Sequence, residues 1–447
     1  MARVALIGEN SIGYINSLLD IWNDGDCAVL IDSAAPFNAA VKLMREANVK
    51  KCLIQSGMWQ GITSDCRDID FIDYNPVSGL TFELPHRIYE KYRSCYENDE
   101  AVIIYSSGTT GSAKGIILSH FAISTNADSI IDYMKPSKET DCIYTMRHLS
   151  HSSTLTGELL VALKTKSKAV ITSRAVPPRL IFSTIKKYGI SILGINPSLL
   201  SLLCDETKRG EYDISSLKKI YVSGSILSDI LYERAKNIFN GIAIYNVYGL
   251  SEAAPRVAAQ REGCQQTNSV GRPIKGVEVK ITDDGGNEVP NGIRGLIHVK
   301  TPSLFSGYVT GGKEYASLIH GWLNAGDTGY FDGFGELHII GRIDDVIICD
   351  AHKIYPCDIE KIILEDFSIT DCIIAGFDER GKTAIGCLYV SDDDRTAAII
   401  RHLKENVPSY EIPKKIIRVD KIPCGLRGKP DKKAINDILC GNTEAKR

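Results

Sequence analysis

The sequence predicts an α/β protein: a large N-terminal domain of α/β subdomains with a small β-barrel-like region, then a small α+β C-terminal domain. Three observations lead there. Short apolar runs alternate with amphipathic stretches as far as about Asn268. Gly and Pro crowd the stretch that follows, and after Arg342 the pattern tightens into compact α+β.

Val4–Ile7, Ala28–Ile31, Ala101–Tyr105, Ala169–Thr172, Ile190–Ile195, Lys219–Val222 and Ala243–Val247 read as buried strands, each a short apolar run. Between them, Pro178–Tyr188 and Asp229–Phe239 carry helical spacing, and Gly157–Leu163 reads as a further helix. Strands that alternate with helices in this way form largely parallel sheets. Beyond Asn268, the strands Val277–Ile281 and Leu296–Val299 flank turns at Asp284-Gly-Gly-Asn287 and Pro290-Asn-Gly292, an antiparallel signature. The last region carries a helix near Pro356–Phe367, strands at Cys372–Gly376 and Ile385–Val390, and a final helix at Asp431–Leu439. The boundary falls at Gly341-Arg-Ile-Asp344, which divides the chain into domains 1–343 and 344–447.

Composition removes several classes of function. The 447 residues carry 52 Lys+Arg against 55 Asp+Glu, a net charge of −3, so the strongly basic face of a nucleic-acid binder is not expected. No apolar run approaches the roughly 18 residues of a membrane helix. The opening Met1-Ala-Arg-Val-Ala-Leu-Ile-Gly8 is too short an apolar run for a signal peptide. Thirteen cysteines are scattered from Cys27 to Cys440 without a CxxC pair, which reads as buried free thiols in a cytoplasmic protein rather than a zinc site or a disulfide framework. Charge is nevertheless polarised near the end. Residues 401–447 hold twelve Lys/Arg against six Asp/Glu, while 345–400 hold five against twelve.

The strongest local signal is Tyr105-Ser-Ser-Gly-Thr-Thr-Gly-Ser-Ala-Lys-Gly115, directly after a predicted strand. Its glycines let the backbone turn and present N–H groups; its hydroxyls and Lys114 add anion donors, so the loop suits a polyphosphate. A Walker A loop requires Gly-Lys-Ser/Thr, whereas here Ala113 precedes Lys114 and Gly115 follows it, so this is a different phosphate loop.

Five further segments follow in order: Asn246-Val-Tyr-Gly-Leu-Ser-Glu252, Gly321-Trp-Leu-Asn-Ala-Gly-Asp327, Gly341-Arg-Ile-Asp-Asp-Val-Ile347, Val407-Pro-Ser-Tyr-Glu-Ile-Pro413 and Gly428-Lys-Pro-Asp-Lys-Lys433. Together with the loop they resemble the motifs of the adenylate-forming enzymes: acyl- and aryl-CoA synthetases, peptide-synthetase adenylation domains and luciferases. The resemblance covers nearly the whole chain and marks it as a compact member.

The resemblance implies that a carboxylate attacks the α-phosphate of ATP to give an acyl-adenylate and pyrophosphate, and that a thiol of CoA or of a phosphopantetheinyl carrier protein then takes the acyl group. It assigns Ser106, Ser107, Gly108, Thr109, Thr110, Gly111 and Lys114 to the β- and γ-phosphates. Glu252 would act in catalysis as the Mg²⁺ ligand. Ser251, where the family more often has Thr, would meet the α-phosphate. Tyr248 would stack on adenine beside Gly249, with Gly224 and Ser225 nearby. Asp327 would accept from the ribose hydroxyls, and Arg342 would reach the ribose or phosphate. Lys429 would bridge carboxylate and α-phosphate. Asp344 falls on the family's hinge, about which a mobile C-terminal domain would turn.

The same comparison brings His148 and His151 to the acyl side, with His151 the better match for the catalytic wall between acyl pocket and thiol tunnel. Ser153 takes the place where amino-acid-selecting members put an Asp. A buried ammonium needs a carboxylate partner, so a carboxylic acid without an α-ammonium, aryl or acyl, is the expected substrate. Asn196 joins the pocket floor. Ala351 stands in the thiol tunnel where the family usually has Gly. Three readings stay open: transfer to CoA, loading of a carrier protein, and a non-catalytic nucleotide-binding relic.

Overall fold

Cys27–Ile31, an unbroken apolar run, is a strand buried on both faces in the computed structural model, which describes residues 1–59, 66–107, 113–262, 264, 268–310, 318–349, 352–365, 369–379, 382–424 and 430–441. It runs parallel between Arg3–Ile7 and Glu100–Ser107; Lys51–Gln55 and Asp70–Tyr74 continue the parallel order beyond Arg3–Ile7. The pleat sends Val4 and Leu6 into one core and Ala5 and Ile7 into another. A helix covers each face. Ile12–Asn23 starts at Ser11, whose hydroxyl accepts from the Tyr14 N–H at 3.0 Å, and it buries Tyr14, Ile15, Leu18 and Leu19. Phe37–Glu46 buries Ala40, Val41 and Met44 on the opposite side.

The far edge of this sheet departs from the parallel pattern. Ala113–Ser119 runs back antiparallel to Glu100–Ser107, and the short strand Gly307–Tyr308 pairs antiparallel with Ala113–Ser119. The sequence does not announce this return strand, because Lys114 and Gly115 interrupt its apolar run. A side chain at Gly115 would meet the Tyr105 ring at 2.9 Å and Val309 at 2.7 Å.

Cys142–Thr145, Lys168–Thr172, Ile192–Ile195, Lys219–Val222 and Ala243–Gly249 make the parallel centre of a second sheet, with antiparallel edges at Thr81–Glu83 and at Arg256–Ala259 next to Arg272–Pro273. Pro178–Tyr188 and Asp229–Ile238 pack on one face through Phe182, Ile185 and Ala235. A third sheet holds Glu278–Thr282, Gly295–Lys300 and Trp322–Phe331, with Leu318–Ile319 and Leu337–Arg342 both paired to Trp322–Phe331. One apolar core joins Leu6 and Leu30 of the first sheet to Ile143 and Ile171 of the second and Ile297 and Leu337 of the third.

Two expectations are corrected here. The barrel-like region is an open antiparallel sheet: among the described residues its outer strands do not pair to close it. The helix predicted at Gly157–Leu163 begins earlier, at Ser152, and widens into a π-turn over Leu155–Leu160 before resuming as Val161–Thr165. Glu158 lies within that turn, and a side chain on Gly194 of the neighbouring strand would come within 2.6 Å of its Oε1. The wide turn and the bare strand together make room for a buried carboxyl.

Past Arg342, Ile369–Glu379 and Lys382–Ser391 form an antiparallel pair, with Lys415–Arg418 parallel to the second strand. Pro356–Leu364, Thr396–Asn406 and Lys432–Cys440 are helical; the last is capped by Asp431, which accepts from the Lys433 and Ala434 N–H groups. Their apolar residues form their own cores, which draw nothing from residues before Ile347. Ion pairs Lys361–Asp229 (3.0 Å), Arg294–Asp358 and Lys353–Asp284 connect this region to the preceding one. All thirteen cysteines are free thiols. Among the described residues no helix is long and apolar enough to cross a membrane.

Gly271 joins the second and third sheets: its carbonyl accepts from the Leu337 N–H at 2.7 Å. With φ +73° and the Ala259 carbonyl oxygen 2.2 Å from where a Cβ would sit, it admits no side chain. Gly271→Ala is expected to cost roughly 2–5 kcal/mol of stability. Urea unfolding measures this, and an unchanged midpoint would count against the junction.

Candidate active site

The segments on either side of the predicted phosphate loop are two antiparallel strands rather than a strand and a helix. These strands place Ser106 opposite Lys114, and residues 108–112, including Gly108, Thr109, Thr110 and Gly111, lie outside the described residues, as does the Ser107 side chain. The Lys114 ammonium stands 5.8 Å from the centroid of the Tyr308 ring, close enough for cation–π attraction. Tyr308 in turn donates its hydroxyl to Glu252 Oε1 at 3.0 Å. Glu252 sits on the tight turn Ser251–Ala253 that follows the strand Ala243–Gly249. Beside it, the Ser251 hydroxyl lies 3.1 Å from that of Ser152. Gly249 lets this turn fold back, since a Cβ there would lie 2.1 Å from the Pro255 carbonyl oxygen.

A second group forms around Asp327. Its Oδ2 accepts from the Tyr248 hydroxyl at 2.5 Å, and its Oδ1 from Arg342 Nη1 at 3.1 Å. Strand pairing sets Asp327 directly opposite Arg342, whose Nη1 also donates to the Ala325 carbonyl at 3.1 Å. Burial pushes the Asp327 carboxyl up, against the pull of Arg342. Burial also raises the Tyr248 phenol, and the neighbouring Asp327 charge adds to the effect.

The opposite wall is built at the C-terminal ends of the second sheet's parallel strands, the usual place for ligands in such sheets. Asn196 caps the helix Pro197–Glu206 by accepting from the Leu199 N–H at 2.8 Å. Gly224, at φ +99°, turns the chain just beyond Lys219–Val222. His148 Nδ1 accepts from the Ser150 N–H at 3.1 Å, which leaves Nε2 to donate to the Gly8 carbonyl at 2.7 Å. Both ring nitrogens therefore have partners in the protein. His151 and Ser153, half-buried, stand at the start of the helix that carries Glu158. Arg147 Nη2 lies 3.8 Å from Glu158 Oε1, and the Arg256 guanidinium flanks the same helix at Gly157.

These walls enclose one continuous cleft of about 2840 Å³. A pocket for one small ligand holds about 300–1,000 Å³, so the cleft has room for several reactants. The AMP-binding enzyme family matches residues 2–309. The chain belongs to that family. It is 27% identical to an indoleacetate–CoA ligase of Aromatoleum aromaticum over 76% of this chain and 68% of the relative. With a 2-succinylbenzoate–CoA ligase of Enterococcus faecalis it shares 24% identity over 96% of this chain and 86% of the relative. ATP-bound MatB from Rhodopseudomonas palustris has the same fold, with a TM-score of 0.86 at 21% identity over 98% of this chain and 88% of that one.

In this AMP-binding enzyme the predicted residues gather. Ser106, Lys114, Tyr248, Gly249, Ser251 and Glu252 line the cleft, as do Asp327, Arg342 and Asp344 from the third sheet and the turn beyond it. His148, His151, Ser153, Asn196, Gly224 and Ser225 line the other wall. Ala351 and Lys429 lie outside the described residues. Sequence reasoning missed Tyr308, Arg147, Glu158 and Arg256. Tyr308 belongs to no motif. Glu158 did leave a trace, as the only charge in the apolar stretch Leu155–Leu163.

Burial pushes the Glu158 carboxyl up to about 7, against the pull of Arg147 and Arg256. The folded chain therefore keeps a proton that the unfolded chain loses near pH 4.5, so this group's contribution to stability falls as pH rises from about 4.5 to about 7. Glu158→Gln is expected to flatten the decline of the unfolding midpoint between these values. An identical slope in variant and wild type would contradict the assignment.

Proposed function

We propose that this AMP-binding enzyme activates a carboxylic acid without an α-ammonium group, using ATP, to an acyl-adenylate and pyrophosphate, and then passes the acyl group to the thiol of CoA. The observation that carries this reading is the convergence on one cleft of the Lys114–Tyr308–Glu252 arc and the Tyr248–Asp327–Arg342 group. The acid–CoA ligases among its relatives support it.

In this reading Lys114 and the loop hydroxyls hold the β- and γ-phosphates, while Ser251 meets the α-phosphate. Two anions must meet for the acid to attack phosphorus, so fixed positive charge and oriented donors carry much of the catalysis. Among the described residues no cluster of three or more His, Cys, Asp or Glu could hold a metal. A lone carboxylate nonetheless suits Mg²⁺, which takes one or two protein carboxylates and completes its shell with phosphate oxygens and water. Glu252 would hold it, and the ion would neutralise phosphate charge. The Tyr308 hydroxyl orients Glu252 through Oε1. Asp327 keeps capacity for the ribose hydroxyls, since each carboxylate oxygen can accept more than one hydrogen bond. His151 stands between the acid and the approaching thiol, and Lys429 neutralises the attacking carboxylate and the α-phosphate.

Residues 344–447 act as the moving domain, with Asp344 as hinge. Their separate cores and the exposed turn Ile343–Asp345 support this. The excess of Lys and Arg in 401–447 favours a second acceptor, an acidic carrier protein, which an acceptor comparison would separate from CoA. The free thiols fit a cytoplasmic setting.

Carboxylate-dependent ATP–pyrophosphate exchange over a panel of acids tests the first half-reaction without assuming a thiol. No exchange with any acid would favour the non-catalytic alternative. Lys429→Ala should abolish exchange yet spare the reaction of preformed acyl-adenylate with CoA; loss of both would remove Lys429 from its role. Tyr308→Phe should lower exchange by about tenfold or more, as loss of a ligand-orienting hydrogen bond does, and raise the Mg²⁺ concentration needed for half-maximal rate. An unchanged Mg²⁺ dependence would leave Glu252 without this support.

A further inference from the structure

Charge around the acyl wall of the cleft is not balanced. Arg147 follows the strand Cys142–Thr145, at the end where the parallel strands deliver their loops to the cleft. About 27% of its side chain stays open, and that opening faces the cleft. Its Nη1 points toward Gly224: a Cβ on that glycine would lie 3.8 Å from Nη1 and 4.0 Å from Asn196 Cβ. Gly224 thus leaves a passage between the guanidinium and the pocket floor.

Among the described residues the one counter-charge within ion-pair distance of Arg147 is Glu158, and at 3.8 Å it is beyond hydrogen-bond reach. Glu158 cannot close that gap freely. Its Oε1 is wedged against Gly194, and the π-turn fixes its backbone. Buried Nε of Arg147 and buried Oε2 of Glu158 both lack hydrogen-bond partners. Arg256 brings a second guanidinium to the same carboxyl. Two cations thus share one carboxyl, and among the described residues the Arg147 side chain makes no hydrogen bond. Removal of a guanidinium from water is costly unless an anion and hydrogen bonds compensate. The described residues supply the anion incompletely and the hydrogen bonds not at all.

We propose that Arg147 binds a second carboxylate, distal to the reacting one, so that the substrate is a dicarboxylic acid whose far end lies between Arg147, Gly224 and Asn196. This rests on the adenylation reading and narrows its substrate. Two guanidiniums outnumber the single carboxyl at this wall even when Glu158 is ionised, which matches a carboxylate and opposes an ammonium. A guanidinium is also the side chain best suited to a planar carboxylate. A neutral tail would leave the Arg147 donors unpaired, and a site built around a polar partner rejects ligands that lack it.

ATP–pyrophosphate exchange with matched pairs tests this: aliphatic and aryl dicarboxylic acids of several lengths, each against its half-amide, which keeps one carboxylate. The wild-type enzyme is expected to favour at least one diacid over its half-amide by about 10- to 100-fold in kcat/KM, as loss of one charged hydrogen-bonded contact implies. Arg147→Gln should reduce that preference at least tenfold, mainly through KM for the diacid, and Arg147→Lys should restore part of it. Exchange by the wild type with monocarboxylates in preference to every diacid would overturn the proposal and leave the adenylation reading intact. So would an equal loss on both members of a pair in Arg147→Gln. No exchange with any acid would defeat both. Should Arg147→Gln fail to fold, Glu158→Gln assayed above about pH 8, where the wild-type carboxyl is ionised, reads the contact from the other side: it removes the competing anion and should lower KM for the diacid, whereas a rise would overturn the proposal.

Discussion

The Asp327 carboxylate sits where burial alone would disfavour its charge, and it is held by Tyr248 and Arg342 on separate oxygens. Each member of the group comes from a different part of the chain: Tyr248 is the penultimate residue of the second sheet's strand Ala243–Gly249, Asp327 lies within Trp322–Phe331, and Arg342 ends Leu337–Arg342. Truncation of one partner in such a buried set typically costs about 3–5 kcal/mol, because a charge is left uncompensated. The placement of the second sheet against the third, and with it this end of the cleft, is therefore tied to the contact. Arg342 is also the last residue before the turn Ile343–Asp345. The contact that sets one wall of the cleft thus anchors the point from which the C-terminal region departs.

Much of this was legible in the residues. The parallel strands were apparent because strands buried on both faces are apolar at every position, as Cys27–Ile31 is. Ser106, Lys114, Tyr248, Glu252, Asp327 and Arg342 were legible because they occur in ordered motifs, and the fold brings them to one cleft. What escaped has physical causes. Ala113–Ser119 hides behind the Lys-Gly pair that the loop needs. The third sheet looks barrel-like in sequence because turn residues and short strands do not reveal whether the outer edges meet. The π-turn leaves no local signature, since one extra residue in a helical turn alters hydrogen bonding and not composition. Tyr308 reaches Glu252 from a distant edge strand, so only tertiary structure brings the pair together.

The two charged groups of the cleft differ in a way that suits different tasks. Around Asp327, both carboxylate oxygens meet a donor within hydrogen-bond distance, although Arg342 Nε is left without a partner, and this gives a firm surface for a ligand of fixed shape. Around Arg147 the charges are near each other but not in contact, and the buried polar atoms are left over. A matched network stabilises the fold by itself. An unmatched one holds binding potential in reserve, at some cost to the stability of the empty protein. In the proposed reading the shared chemistry belongs to the first kind of site and the choice of acid to the second.

Tyr308 reaches its place through a strand only two residues long, Gly307–Tyr308, at the outer edge of the first sheet. Edge pairing of that length is the kind of structure that opens locally long before the body of a domain unfolds. Glu252 and Lys114 both meet the Tyr308 side chain, so the phosphate end of the cleft inherits the lifetime of this small element rather than that of the sheet behind it. When the edge lifts, the ring leaves Lys114 and the hydroxyl leaves Glu252 together. In the proposed reading, release of a bound polyphosphate then proceeds by brief peeling of one strand, with the rest of the fold standing still.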